Sequence, residues 1–312
     1  MNLKTALITG ASGFCARYLA NRLSGEGGTL VIGADLAPPP DDGCVLDDFA
    51  RLELGDFGQV VDLLRRLRPD LVFHLAGIQH GEAKDIYMTN AMGSVHLLEA
   101  VRQECHSARV LLVGSAAEYG PVEKKDLPVT ESTPCSPHGP YGLSKYASTL
   151  AGLNWSRQFG MKVVIARPFN IIGAGISPNL FVGALLARAR EALSTSGDPV
   201  VKVGNLESQR DFIAVEDVVE AYTLMLEGDY WGEIINICSG RPLKIISLAD
   251  MLLAHSSRPI RLEVDPGLVR GDEVNVMYGN GGKARRLFGF QPRVSVEESL
   301  SRIWREGMES AG

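Results

Sequence analysis

The chain has 312 residues and a net charge of −6, with 45% apolar and 22% charged positions; this is the composition of a folded globular protein and supplies no basic field for nucleic acid or an anionic membrane. Its five cysteines are odd in number, scattered and without CxxC spacing, so neither a disulfide framework nor a metal site is expected, and a reducing cytoplasm is the natural compartment. No apolar run approaches the roughly 20 residues that span a bilayer, and Thr9-Gly10 arrives before a signal-peptide core develops.

Residues 3–9 form an apolar run ending in Gly10, and 13–23 have the spacing of an amphipathic helix, so the chain opens strand, glycine turn, helix. A second strand over 29–34 ends at Asp35. The alternation continues with a helix over 57–67, a strand over 71–75, a helix over 86–104, a strand over 110–114, a helix over 139–160 and a strand over 163–166. Continuous Val, Leu and Ile strands alternating with helices predict an α/β fold, a Rossmann-type doubly wound parallel sheet covered on both faces. After Arg167-Pro168 the rhythm changes: Gly- and Pro-containing loops cover 172–178 and 204–211, with helices expected over 180–193, 215–227, 248–255 and 296–305 and short strands over 200–203, 233–237 and 260–263. No polar linker separates the halves. The expected organisation is a dinucleotide-binding unit over 1–168 and a smaller substrate-binding lobe over 169–312, with some segments returning to the sheet. Ligands of such sheets bind beyond the carboxyl ends of the strands, where the strand order reverses.

Thr9-Gly10-Ala11-Ser12-Gly13-Phe14-Cys15-Ala16 lies where a strand turns into a helix, the context of a dinucleotide fingerprint. Gly10 and Gly13 let the backbone turn tightly and approach a pyrophosphate, which the helix N-terminus favours; Ala16 replaces the third glycine. Asp35 stands where a carboxylate accepts hydrogen bonds from the adenosine ribose. It would repel a 2′-phosphate and no arginine follows it closely, so NAD is preferred, with NADP possible. Asp56 suits the adenine amino group or, equally, a helix cap. Phe73-His74-Leu75-Ala76-Gly77 ends the fourth strand with small residues where a cofactor needs room, His74 reading as a packed strand histidine.

Within Pro140-Tyr141-Gly142-Leu143-Ser144-Lys145, Tyr141 and Lys145 are one helical turn apart and leave the same face. A phenol exchanges its proton reluctantly at neutral pH, and a nearby ammonium favours the phenolate, which makes Tyr141 a candidate acid/base. A surface Tyr and Lys on an ordinary amphipathic helix would show the same spacing.

Taken together, TGxxGFxxxxL, FHLAG, Asn90, GSxxxYG at 114–120, PYGLSK and Arg167-Pro168-Phe169-Asn170 resemble the extended short-chain dehydrogenase/reductase family of NAD-dependent epimerases and dehydratases, in consistent order from about residue 3 to 305. The resemblance implies a catalytic set of Ser115, Tyr141 and Lys145. It implies cofactor contacts from Gly10, Ser12, Gly13, Phe14, Asp35, Asp56, Phe57, Leu75, Ala76, Gly77, Asn90, Tyr141, Lys145 and Pro168. Gly204-Asn205-Leu206-Glu207-Ser208-Gln209-Arg210-Asp211-Phe212 and Val269-Arg270-Gly271-Asp272-Glu273 are similar to the branch acting on GDP-sugars, which includes the 4,6-dehydratases and the reductases of their 4-keto-6-deoxy product. That branch implies Arg210 and Arg270 on the nucleotide diphosphate, Asn170 near sugar and phosphate, Asn179 at the diphosphate end of a helix, Glu273 on the ribose, and Lys202 among the substrate contacts. Arginine forks match phosphate oxygens.

A dehydratase of this family needs an added acid/base pair just after the hydroxyl of Ser115. Here those positions are Ala116 and Ala117, and Glu118, one residue on in an extended segment, would face the opposite way. Carbonyl reduction, its reverse, or 4-epimerisation with bound NAD remains. The 204–212 stretch favours reduction of a nucleotide-linked 4-keto-6-deoxyhexose, GDP-linked. A non-catalytic, nucleotide-sensing regulator of the same fold is a third reading, weakened by the retention of Ser115, Tyr141 and Lys145. The segment 78–89 is shorter than such reductases carry, which leaves the sugar open; His138, three residues before Tyr141, and Gln79 or His80 are candidates for sugar contact but read better as solvated loop residues. The resemblance also implies a homodimer built on two helices per subunit, one of them the Tyr141 helix, with Leu150, Leu153 and Trp155 at the interface or in the core.

Overall fold

The computed structural model describes residues 3–40, 43–268 and 275–309. The first half alternates as its periodicity dictates: β1 (Lys4–Thr9), α1 (Phe14–Glu26), β2 (Thr29–Asp35), β3 (Asp48–Arg51), α2 (Phe57–Leu67) and β4 (Leu71–His74). Asp56 caps α2 by accepting from the Gln59 N–H at 3.1 Å. The helix expected over 86–104 is broken into α3 (Ala83–Tyr87), a π-helical turn (Met88–Met92) and α4 (Gly93–Glu104). The extra residue of the π turn accompanies Asn90, which is buried and bonded to Ile78 and Ser144 rather than to solvent. β5 (Arg109–Val113), α5 (Gly139–Phe159) and β6 (Lys162–Pro168) complete this half.

The second half holds β7 (Asn170–Ile172), α6 (Phe181–Leu193), β8 (Val200–Val203), β9 (Gln209–Ala214), α7 (Val215–Glu227), β10 (Ile234–Ile237), β11 (Pro242–Lys244), α8 (Ile245–Leu253), β12 (Arg261–Val264), β13 (Val276–Met277), α9 (Gly282–Phe288) and α10 (Val296–Glu309). β9 starts inside the stretch expected to be a loop, because Gln209 and Arg210 find partners in β11 and β13 that the local pattern does not announce.

Seven parallel strands in the order β10-β6-β5-β4-β1-β2-β3 form the central sheet. The order reverses between β1 and β4, the crevice where doubly wound sheets take ligands. One face is covered by α1 and α7, packing Leu19, Leu23, Val218, Tyr222 and Met225; the other by α2, α4 and α5, packing Leu63, Leu64, Leu97, Leu98 and Val101. Burial on both faces explains why the strands read as continuous apolar runs. A separate core of Leu185, Leu248, Leu252, Leu300 and Ile303 lies under β9 and its partners, which form a small mixed sheet of β11, β9, β13 and β7, while β8 pairs with β12. None of the described helices is long and apolar enough to cross a membrane.

Candidate active site

At the β1/β4 crevice a cleft of about 610 Å³ runs from Gly10 and Gly13, past Leu75, Gly77, Ser115, Tyr141 and Lys145, to Pro168, Asn170 and Arg210. A smaller groove of about 350 Å³ at Thr130, Glu131, Asn280, Lys283 and Arg286 includes none of the expected site residues. The glycine turn is sterically enforced. Gly10 has φ +73°, and a Cβ there would stand 2.7 Å from the Ala76 backbone, so only glycine lets β1 turn against the end of β4. Asp35 is drawn to this turn: one carboxylate oxygen accepts from the Ser12 N–H at 2.9 Å and the Ser12 hydroxyl at 2.6 Å, the other from the Leu36 N–H at 2.7 Å. A glycine turn, the open N-terminus of α1 headed by Phe14, and a carboxylate ending β2 together fit a dinucleotide.

Not every expected cofactor contact reaches the cleft. Asp56 is exposed and serves as the α2 cap, and Phe57 stacks on His96 with ring centroids 5.5 Å apart. Ala76 is buried behind Leu75 and Gly77. Asn90 spends its amide internally: the oxygen accepts from the Ile78 N–H at 2.8 Å, and the nitrogen donates to the Ile78 carbonyl and the Ser144 hydroxyl, both at 2.9 Å. It therefore sets the path of the Gly77-Ile78 backbone. His74 is the packed histidine its position suggests, bonded to Thr9 and Ser94 and held neutral, at about 3, by burial and the Lys145 charge.

Ser115, Tyr141 and Lys145 meet in the cleft. Ser115 lies just beyond β5 and caps a 3₁₀ turn (Ala116–Glu118), its hydroxyl accepting from the Ala117 N–H at 3.1 Å. Tyr141 and Lys145 come from the first turns of α5. Burial pushes the Tyr141 phenol above its usual value, with the facing Ser115 hydroxyl drawing it back. Lys145 is itself buried and brought down to about 8 by desolvation, and its ammonium donates to the Val113 carbonyl at 2.9 Å. Gly77 leaves it room, since a Cβ there would lie 2.9 Å from Lys145 Nζ.

Glu118 lies in the 3₁₀ turn and not in an extended segment, so its inward orientation has a different cause from the one expected. Burial pushes its carboxyl up and the Arg167 guanidinium pulls it back. Four donors face it: the Ser115 N–H (2.8 Å), the Thr149 hydroxyl (3.0 Å), and Arg167 Nε and Nη2 (both 2.7 Å). A group facing donors alone is bound as carboxylate. Glu118 is thereby turned away from the cleft, whose wall here is the small side chains of Ala116 and Ala117.

At the far end Arg210 and Asn170 line the cleft from β9 and β7, the Asn170 amide donating to the Asp211 carbonyl at 2.8 Å. Asp211 is fully buried and accepts from Ser239 N–H and hydroxyl (2.8 and 2.6 Å), Gly240 N–H (2.9 Å) and Gly279 N–H (3.1 Å), which fastens β9 to two loops. Asn179 is exposed just before the cleft-lining Leu180 and Phe181, and Lys202 is exposed on β8, 3.6 Å from Asp265. Arg270 and Glu273 lie outside the described residues. Gln79 and His138, expected to be solvated loop residues, line the cleft, as do Phe169, Phe212 and Met277; Phe169 and Phe212 lie within motifs that carry the resemblance, and Met277 had no signal in the sequence.

The model of the NAD dependent epimerase/dehydratase family matches residues 6–238. The chain is 29% identical over 304 residues to a GDP-6-deoxy-D-mannose reductase from Pseudomonas aeruginosa, covering 95% of this chain and 94% of that protein. Its fold superposes on the structure of RMD from Pseudomonas aeruginosa complexed with NADPH with a TM-score of 0.84 at 27% identity, covering 98% of each chain. It superposes equally, at 0.84 and 25% identity, on a UDP-glucose 4-epimerase with UDP-glucose from Thermotoga maritima, covering 99% of this chain and 100% of that one.

Proposed function

The chain belongs to the NAD dependent epimerase/dehydratase family, and on that footing we propose that it reduces the 4-keto group of a GDP-linked 4-keto-6-deoxyhexose with a nicotinamide cofactor. The observation that carries this reading is the wall opposite Tyr141. Ser115, Tyr141 and Lys145 share a cleft with Ala116 and Ala117, so the proton chemistry of a carbonyl is provided for and, among the described residues that line it, a carboxylate for elimination is not. Tyr141, held above its usual value by burial, is present as the phenol, the form that gives a proton to a carbonyl oxygen. Ser115 offers that oxygen a hydrogen bond, and the Lys145 ammonium lies where a nicotinamide ribose would pass. The bound nicotinamide supplies the hydride. Asp35, beside the glycine turn, favours the unphosphorylated ribose of NAD, although a relative is seen with NADPH. Arg210 and Asn170 face the nucleotide diphosphate and sugar from the lobe around β9, to which we assign substrate binding.

The test is oxidation of NADH or NADPH by purified protein against GDP-, dTDP- and UDP-linked 4-keto-6-deoxy sugars. Turnover with the GDP sugar is expected, and absence of oxidation with every sugar overturns the reading. A second reading, 4-epimerisation with tightly held NAD, uses the same three residues and is favoured by the equal match to the UDP-glucose 4-epimerase fold; it predicts interconversion of UDP-sugars without net change in cofactor. We also assign the protein to a homodimer. Leu143 and Leu150 on α5, and Met88 and Met92 on the π turn packed against it, are 40–48% exposed, whereas Leu153 and Trp155, the other residues considered for the interface, are half-buried and pack against the core.

A further inference from the structure

Behind Ser115, on the side away from the cleft, three elements converge on one carboxylate. The 3₁₀ turn brings Glu118 beneath the end of β5, where it receives the Ser115 N–H; α5 sends the Thr149 hydroxyl, and β6 sends the Arg167 guanidinium. Thr149 is four residues beyond Lys145 and eight beyond Tyr141, on the face of α5 that carries both. The fit is close: a Cβ at Gly114 would come 2.2 Å from Glu118 Oε1. Arg167 is held in turn, with its guanidinium 4.9 Å from the centre of the Tyr119 ring and the Tyr119 hydroxyl donating to Asn236 at 2.7 Å. Glu118, Thr149, Arg167, Tyr119 and Asn236 are all buried.

We propose that Glu118 is a positioning residue that fixes Ser115 against Tyr141 and Lys145 by clamping the end of β5 to helix α5. It touches neither substrate nor cofactor. Its charge adds to the effect: it favours the protonated forms of Tyr141 and Lys145, and Arg167 from β6, Tyr119 and Cys135 are the other titratable groups gathered on this cluster. The consequence for rate rests on the carbonyl-redox reading above; the consequence for geometry does not.

Two variants separate the roles. Glu118→Gln keeps the shape, but an amide must present N–H to at least one of the donors around it, so one side of the clamp opens. Thr149→Val leaves the ion pair whole and removes only the tether to α5. Both are expected to lower kcat by roughly tenfold to a hundredfold, the range for small misplacement of reacting groups, with cofactor affinity unchanged, and Thr149→Ser is expected to recover most of the loss. In protein labelled with ¹³Cζ-tyrosine and saturated with NAD, the Tyr141 resonance, assigned by its disappearance in Tyr141→Phe, is expected to move in both variants. That spectrum needs no sugar, so it tests the clamp even if no turnover is found for the wild type. Should Glu118→Gln fail to fold, Thr149→Val carries the test. Variants that melt lower while the Tyr141 resonance and kcat stay unchanged would show a structural ion pair only and overturn the proposal.

Discussion

Tyr141 and Lys145 are neighbours with opposite demands on their surroundings. Burial holds the phenol protonated, which suits a proton donor, and burial also works against the ammonium beside it. Tyr141→Phe keeps the ring and removes the acidic proton; kcat is expected to fall by about 10²–10⁴, the usual worth of a general acid, with NAD binding by calorimetry unchanged, and an unaltered rate would refute the assigned role. Lys145 has a stability cost with a definite pH dependence. Its value is about 8 in the fold against 10.5 for the ordinary side chain, so between those values the unfolded chain binds more protons and stability rises with pH. The cost is full below pH 8 and fades toward 10.5. Lys145→Met is therefore expected to unfold at higher denaturant than the wild type at pH 7, by about 1–3 kcal/mol at 1.4 kcal/mol per unit, the excess shrinking toward pH 10. An excess that grows with pH would show that Lys145 is not desolvated. The residues that sequence found here were those carried by spacing, by a strand end or, for Ser115, by the family resemblance: Gly10, Gly13, Asp35, Ser115, Tyr141 and Lys145 all reach the cleft or its rim. Glu118 faces away from the cleft as expected, but from a 3₁₀ turn and not from an extended segment, and nothing local announces its partner Arg167, 49 positions away.

Elements with a strong period were legible almost to the residue. α2, α7 and β8 coincide with their expected spans because each has a single apolar face or a fully buried run bounded by polar residues. β7, β11, β13 and α9 were missed; they are short, and they exist through pairing or packing with distant segments. β9 is the instructive case. Gln209 and Arg210 look like loop, yet they start the strand that supplies the far wall of the cleft, and what holds it is Asp211 beneath. Asp211→Asn puts an amide donor among four donors, and we expect a loss of about 2–4 kcal/mol in denaturant unfolding. A sugar-nucleotide affinity lowered more than cofactor affinity is expected with it, since Arg210 and Asn170 shift with β9. Equal losses in both would show that the strand does not specifically support the substrate end.

For the whole molecule, the alternation of apolar runs and helices was sufficient for the doubly wound sheet and hence for the crevice between β1 and β4. That β7 and β9 line the far end of that crevice was not legible in the local pattern, because their placement depends on strand pairings without local signals. The same holds for assembly. Leu143, Leu150, Met88 and Met92 are exposed on the outer face of α5 and the adjoining π turn, the surface we propose for the dimer, and Leu150→Glu, an exposed position whose change leaves the core intact, is expected to shift the protein from dimer to monomer by sedimentation velocity. A wild type that sediments as a monomer would contradict that assignment.

Reduction and epimerisation differ in the fate of the hydride, and the measurement that reads it most directly uses NADH deuterated at the transferable C4 position together with a GDP-4-keto-6-deoxyhexose. Carbonyl reduction predicts loss of the reduced cofactor and a released GDP-6-deoxyhexose carrying one deuterium at sugar C4 by mass spectrometry and proton NMR. A sugar that changes configuration without acquiring deuterium, or that is recovered unchanged beside intact cofactor, would contradict the account.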